Sequence, residues 1–226
     1  MTDSLNPFDS LDLTAAPLNL PASPITEIDI EARAASFRAE AIHRSRTAYF
    51  EANCPPQYRA FDVEHPGIQR NRQQINRVME WQFSAKGLLA AGPTNQGKTR
   101  AMFALCRRLL CEQCVDVGIW HAQDFFAALQ GEVRFGRDEA DGFIKRVAAR
   151  RVLFIDDYGQ HALQSNREEW AHGWFFRLLD LRVSAGLPIL MTTNLRAEQL
   201  ASDANDIKGD PLVRRLLDLA EPVKFN

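Results

Sequence analysis

The run Gly92-Pro93-Thr94-Asn95-Gln96-Gly97-Lys98-Thr99 holds the residue types and spacing with the most specific chemistry in this chain. It completes the pattern G-x-x-x-x-G-K-[ST], a Walker A phosphate loop. Backbone N–H groups of such a loop and of the helix behind it converge on one concavity and bind a polyphosphate. Lys98 can reach the outer phosphates, the Thr99 hydroxyl is placed to hold Mg²⁺, and Gly97 lets the backbone pass close to a nucleotide. A second chemical run is Arg151-Val152-Leu153-Phe154-Ile155-Asp156-Asp157-Tyr158-Gly159. Four apolar residues ending in acids read as a buried parallel strand whose C-terminal end faces a ligand crevice. In a phosphate-loop NTPase this is the Walker B strand. Asp156 would hold Mg²⁺ through water, and Asp157 would orient or deprotonate the attacking water.

These residues need elements to position them. Leu88–Ala91 is apolar and reads as strand one, leading into the loop. Lys98–Cys114 reads as the helix behind it. Val115–His121 is strand two, followed by helices over 122–130 and 138–150. Val152–Asp156 is strand three, and 167–185 a long helix. Leu187–Thr192 is strand four, ending in Thr192-Thr193-Asn194. A helix over 212–219 and a short strand over 222–225 complete the core. Alternating strands and helices imply α/β architecture, a parallel sheet with helices on both faces. Asn194, at the end of a buried strand beside the acidic one, would point its amide toward the γ-phosphate and orient water together with Asp157.

Upstream of the core, residues 1–26 are rich in Pro, Asn, Ser, Asp and Ala and read as a mildly acidic disordered tail. Phe8, Leu11, Leu13, Leu18 and Leu20 within it fit either an inert tail or a short docking motif. Residues 27–54 read as a helix stopped at Asn53-Cys54-Pro55-Pro56. It is a candidate for docking a partner helix-in-groove. The ATPase-like core spans 55–226, with a loop over 57–67 and one helix from about 68 to 85.

A chain of 226 residues can bury one sizeable α/β core. The net charge of −2 argues against a globally basic nucleic-acid binder and leaves a local basic patch open. No apolar run approaches membrane-spanning length, and the N-terminus lacks the basic start and apolar core of a signal peptide. A cytoplasmic protein with no membrane partner is expected. Cys111 and Cys114 form a C-x-x-C without a second pair or His cluster at metal spacing. They read, with Cys54 and Cys106, as small buried residues in a reducing compartment.

Taken together, these motifs resemble the AAA+ ATPases, and among them the DnaC/IstB-type clade of replicative-helicase loaders and transposition helper ATPases. The resemblance covers roughly 55–226. It rests on Cys54-Pro55-Pro56-Gln57-Tyr58-Arg59, on Gly92–Thr99, and on Leu153–Gly159. The fourth feature is Leu190-Met191-Thr192-Thr193-Asn194-Leu195 followed by Gly209-Asp210-Pro211-Leu212-Val213-Arg214-Arg215-Leu216. It implies ATP and Mg²⁺ as cofactors, Asn194 as sensor 1, and an arginine finger acting in trans. Arg215 is favoured over Arg214 for that finger, so the site would be shared within a homo-oligomer. It further implies a replicative helicase and single-stranded DNA as partners. The basic residues offered for DNA are Arg100, Arg107 and Arg108, and the stretch Arg134–Arg151, with stacking by Phe135. Two alternatives stay open: a transposition helper on duplex DNA, and a nucleotide-gated adaptor with little hydrolysis. Two departures from the wider family stand out. Asp157 occupies a position where most AAA+ proteins carry Glu. The C-terminal helical lid has no counterpart here, which leaves 61–81 as the expected neighbour of the base.

Overall fold

The computed structural model describes residues 27–159, 168–194 and 211–226. The tail, the start of the 167–185 helix, Leu195 and Gly209-Asp210 lie outside the described residues. The chain divides into two units, Met1–Ala41 and Ile42–Asn226. In the first, the described residues are helical and form the opening of α1 (Glu27–Asn53). The division therefore falls inside α1.

The second unit is a five-stranded sheet whose paired strands are all parallel, in the order β2-β3-β4-β1-β5. The strands are β1 (Gly87–Ala91), β2 (Val117–His121), β3 (Val152–Tyr158), β4 (Ile189–Thr193) and β5 (Ala220–Lys224). Side chains alternate across a strand, so each continuous apolar run feeds two cores. Leu89, Ala91, Leu153, Ile155, Ile189 and Met191 face α5 (Ala122–Val133), α6 (Arg137–Ala148), α7 (Glu168–Ala185) and α8 (Pro211–Leu219). Leu88, Ala90, Val117, Ile119, Phe154 and Leu190 face α4 (Lys98–Arg107), α3 (Arg72–Glu80) and Phe50. On that second face Phe103 meets Phe154 edge-on at 5.2 Å and stacks on Tyr58 at 5.6 Å.

The expected α/β parallel sheet and helical extension are present, with boundary differences that have local causes. The single helix expected over 68–85 is two. α2 (Pro66–Arg70) and α3 are broken at Asn71, whose backbone (φ −111°, ψ 36°) leaves the helical region. The loop expected over 57–67 holds a 3₁₀ turn at Pro56–Tyr58 and the first residues of α2, with proline in the first turn of each. α4 ends at Arg107 and continues as a π turn over Arg108–Glu112, so β2 starts at Val117. Cys54 and Cys106 are buried as expected. Cys111 is half-buried and Cys114 is exposed, which corrects the reading of all four as buried. Among the described residues no cluster of His, Cys, Asp or Glu could hold a metal. None of the described helices is long and apolar enough to cross a membrane.

Candidate nucleotide site

The C-terminal ends of β1, β4 and β3 lie side by side, and each delivers one part of the site. β1 releases the chain into the loop at Gly92 (φ 140°). Asn95 (φ 60°) and Gly97 (φ 86°) also take positive φ, and Gly97 caps α4. A side chain at Gly92 would sit 2.2 Å from the Phe225 carbonyl oxygen, so glycine is required there by space as well as by φ. Lys98 opens α4 and is 6% exposed. Its ammonium donates to the Gly92 and Pro93 carbonyls and to Asn194 Oδ1 at 3.1 Å. Burial holds it below the ordinary lysine value, with Asp157 and Asp156 opposing that shift.

Asp156 ends the regular part of β3 and is 7% exposed. Its Oδ1 accepts from Thr99 Oγ1 at 2.9 Å and from Thr192 Oγ1 at 2.6 Å. Burial raises its carboxyl above the ordinary range, and those two hydroxyls pull it back. Thr192 also accepts the Asp157 N–H at 2.7 Å. Asn194 Nδ2 donates to Asp157 Oδ1 at 2.9 Å. One amide therefore joins Lys98 to Asp157.

The cleft in front of these groups has a volume of about 410 Å³. The structure brings Thr94–Thr99, Asp156, Asp157 and Asn194 together around it, as the sequence expects, with Gly92 and Pro93 held by Lys98 at the loop's entry. Its far wall is Pro55, Gln57, Tyr58 and His65. Of the stretch 61–81 only His65 lines the cleft. Trp81 is core, its indole N–H on the Lys86 carbonyl at 3.0 Å. Arg100, expected among the DNA candidates, also lines the cleft. It donates to the Gln57 carbonyl at 2.8 Å and lies 5.3 Å from the Tyr58 ring centre.

Arg215 stands away from the cleft of its own chain. It pairs with Asp180 at 3.2 Å and Asp218 at 3.6 Å, over the Phe176 ring. Arg214 is exposed on the same helix. In the stretch offered for DNA, Lys145, Arg146 and Arg150 are paired with Asp141, Glu132 and Asp116. Phe135 is 80% exposed between Arg134 and Arg137.

Two residues of the site were missed in sequence. Thr192 stitches both acids, and His121 lines the cleft at the end of β2, in register with Asp156. The available signal is that each is a polar residue at the C-terminal end of a strand, on the same side of the sheet.

Does this donor set suit Mg²⁺ and a polyphosphate? The Thr99 hydroxyl and the Asp156 carboxylate meet at one point, and a buried ammonium lies beside them, beneath a loop with three positive-φ residues. Oxygen donors of that kind suit Mg²⁺, and the loop and ammonium suit phosphate.

No protein-family model matches the sequence, and no curated protein sequence matches it. Solved structures do match in three dimensions. The DnaC helicase loader superposes with a TM-score of 0.57 at 17% identity, covering 76% of this chain and 100% of that one. DnaI gives 0.53 at 22% identity, covering 76% and 92%. AMPPCP-bound DnaA from Aquifex aeolicus gives 0.54 at 18% identity, covering 76% and 51%. At such identities the likeness establishes the fold. The chain has the α/β fold of these solved domains, the fold that the resemblance of its motifs implies.

Proposed function

We propose that this chain binds ATP with Mg²⁺ in the 410 Å³ cleft, hydrolyses it as a homo-oligomer, and acts on a replicative helicase at single-stranded DNA. The observation that supports this reading is the bonded set Lys98–Asn194–Asp157 next to Thr99–Asp156–Thr192. Lys98 and the loop amides bind the phosphates, and Thr99 and Asp156 hold the metal. Bound Mg²⁺ neutralises charge on the phosphate oxygens. Asp157 and Asn194 hold the attacking water, Asp157 as proton acceptor and Asn194 as its orienting partner. Arg215 does not line its own cleft, and in this reading it completes the site of a neighbouring copy. The structural neighbours include a DnaC helicase loader and a replication initiator, DnaA, bound to AMPPCP and single-stranded DNA, which favours helicase and single strand over the alternatives.

The test is ATP turnover with no DNA, single-stranded DNA or duplex DNA, for the unsubstituted chain, Lys98→Ala and Arg215→Ala. Stimulation by single strand, loss in both variants, and partial recovery on mixing them support a shared site. Stimulation by duplex alone moves the reading to a transposition helper. ATP binding without turnover under every condition leaves a nucleotide-gated adaptor.

A further inference from the structure

Asn71 breaks the helix expected over 68–85, and the break has a use. The residue is 2% exposed and precedes α3, yet its side chain makes no capping bond to that helix. The amide is directed elsewhere. Its NH₂ donates to Gly67 O at 3.2 Å, to Gln96 O at 3.3 Å and to Gln96 Oε1 at 3.0 Å. Its Oδ1 accepts the Asn226 N–H at 3.0 Å. The polar atoms of one buried side chain thus join the α2–α3 junction, the phosphate loop and Asn226, two residues past the end of β5.

Backbone packing grips the same loop at both ends. At its start, the Phe225 N–H donates to Ala91 O at 2.8 Å, and the Phe225 carbonyl fills the space where a Gly92 side chain would be. At its end, a side chain on Gly67 would lie 2.6 Å from Asn95 O and 2.7 Å from the Gln96 carbonyl carbon. Asn71 ties the two grips to each other. α8 runs into β5 without an intervening residue, Leu219 to Ala220. A displacement of α8 is therefore passed along β5 to Phe225 and Asn226, and through Asn71 to Gln96.

The loop holds Asn95 in the left-handed region that a free non-glycine residue rarely visits, and it fixes Gly92 and Gly97, which lose the most freedom on ordering. Ordering it before the ligand arrives removes that cost from binding. We infer that Asn71 is a positioning residue for the phosphate loop, holding it in its anion-binding conformation and coupling it to the C-terminal strand. This rests on the nucleotide reading above.

The experiment measures binding of a fluorescent ATP analogue with Mg²⁺, and nucleotide-free thermal unfolding, on the full chain. Asn71→Leu removes all four bonds. Asn71→Asp keeps the acceptor for Asn226 and turns a carboxylate toward the Gln96 and Gly67 carbonyls. Asn226→Pro removes only the backbone donor. Net hydrogen-bond contributions of this kind correspond to about tenfold weaker analogue binding for each Asn71 variant and about threefold for Asn226→Pro. Coupling predicts that Asn226→Pro weakens nothing further once Asn71 is Leu or Asp. A lower melting temperature with unchanged analogue affinity shows a merely structural residue and overturns the inference, as does full additivity of the two sites. Should Asn71→Leu fail to fold, Asn71→Asp and Asn226→Pro carry the same comparison. No analogue binding by the unsubstituted chain overturns the nucleotide reading itself, whereas unchanged affinity in the variants overturns this inference alone.

Discussion

Replacing Thr192 by valine changes shape very little and removes two hydrogen bonds at the centre of the site. Thr192 is 1% exposed. Its hydroxyl donates to Asp156 at 2.6 Å and accepts the Asp157 N–H at 2.7 Å. A hydrogen bond to a charged group contributes about 1.5–3 kcal/mol. Burial already lifts Asp156 above 3.8, and the Thr192 hydroxyl is the foremost group opposing it. Thr192→Val therefore lifts the carboxyl further. In the proposed reading metal binding needs the ionised form, so the acid limb of ATP turnover moves to higher pH. Saturating Mg²⁺ competes with the proton and shrinks the displacement. The linkage sign for stability follows from the same direction. Between 3.8 and its raised folded value, Asp156 holds more proton folded than unfolded, so stability falls as pH rises through that window. The valine variant widens the window. It also strands the Asp157 N–H, at about 1–3 kcal/mol. In a chain of this size that lowers the melting temperature by about 2–12 °C. An acid limb that stays in place or moves to lower pH, in a folded variant, refutes the reasoning.

Two further outcomes follow from buried groups outside the cleft. Arg182 is fully buried and donates to the carbonyls of Ala148, Arg150 and Pro188, and burial pushes its guanidinium down to about 10. Arg182→Met leaves those carbonyls without these donors, at about 1–3 kcal/mol for each one left unsatisfied, seen as a lower urea midpoint at unchanged slope, with analogue affinity per folded molecule unaltered. Native thiol titration at pH 8 should show Cys114 reacting fast and Cys111 more slowly. Burial pushes the Cys54 thiol up to about 11 against the pull of Arg59, and raises Cys106 well above the ordinary thiol value, so both stay silent until the chain unfolds. Since the Cys54 thiol titrates at 9.0 when unfolded, stability falls as pH rises from there through about 11. Fast reaction of three thiols in the native chain contradicts this burial.

Which parts of this molecule can be read in the residues depends on how local their causes are. The loop Gly92–Thr99 and the runs of β1, β3 and β4 are legible because backbone freedom, apolar continuity and a terminal polar residue sit within a few positions. Thr192 is legible as part of Thr-Thr-Asn, but its task depends on the register of β4 against β3, which no short pattern encodes. Arg182 sits near the C-terminal end of α7. It is buried because the end of α6 and the start of β4 present carbonyls from 34, 32 and 6 positions away. The same holds for Lys145, Arg146 and Arg150. Their acids lie on their own or a neighbouring element, so three of the six basic residues in a stretch that looks basic in sequence are paired with acids in space. Asn71 was hidden for the opposite reason. Helical spacing on both sides of it was real, and only the tertiary demand of the loop broke it.

The identity of the second acid has a backbone explanation. Ile155 faces Met191 and Tyr158 faces Thr193, so β3 carries one extra residue across that interval, a bulge at Asp156–Asp157. In an unbroken strand two consecutive carboxylates point to opposite faces. Here Asp157 takes φ 57°, and its side chain turns to Asn194 while Asp156 keeps its place beside Thr99. The left-handed region disfavours most side chains by about 1–2 kcal/mol, and Asp and Asn tolerate it best. Lengthening the acid to the residue more common in AAA+ proteins therefore does not amount to a gain. Asp157→Glu should strain the bulge, overshoot the Asn194 amide at 2.9 Å, and lower turnover several-fold with ATP affinity nearly unchanged. Asp157→Asn keeps the backbone conformation while losing the proton acceptor, and should bind ATP normally with little turnover. If Asp157→Glu instead raises turnover at unaltered stability, the bulge does not select the shorter acid.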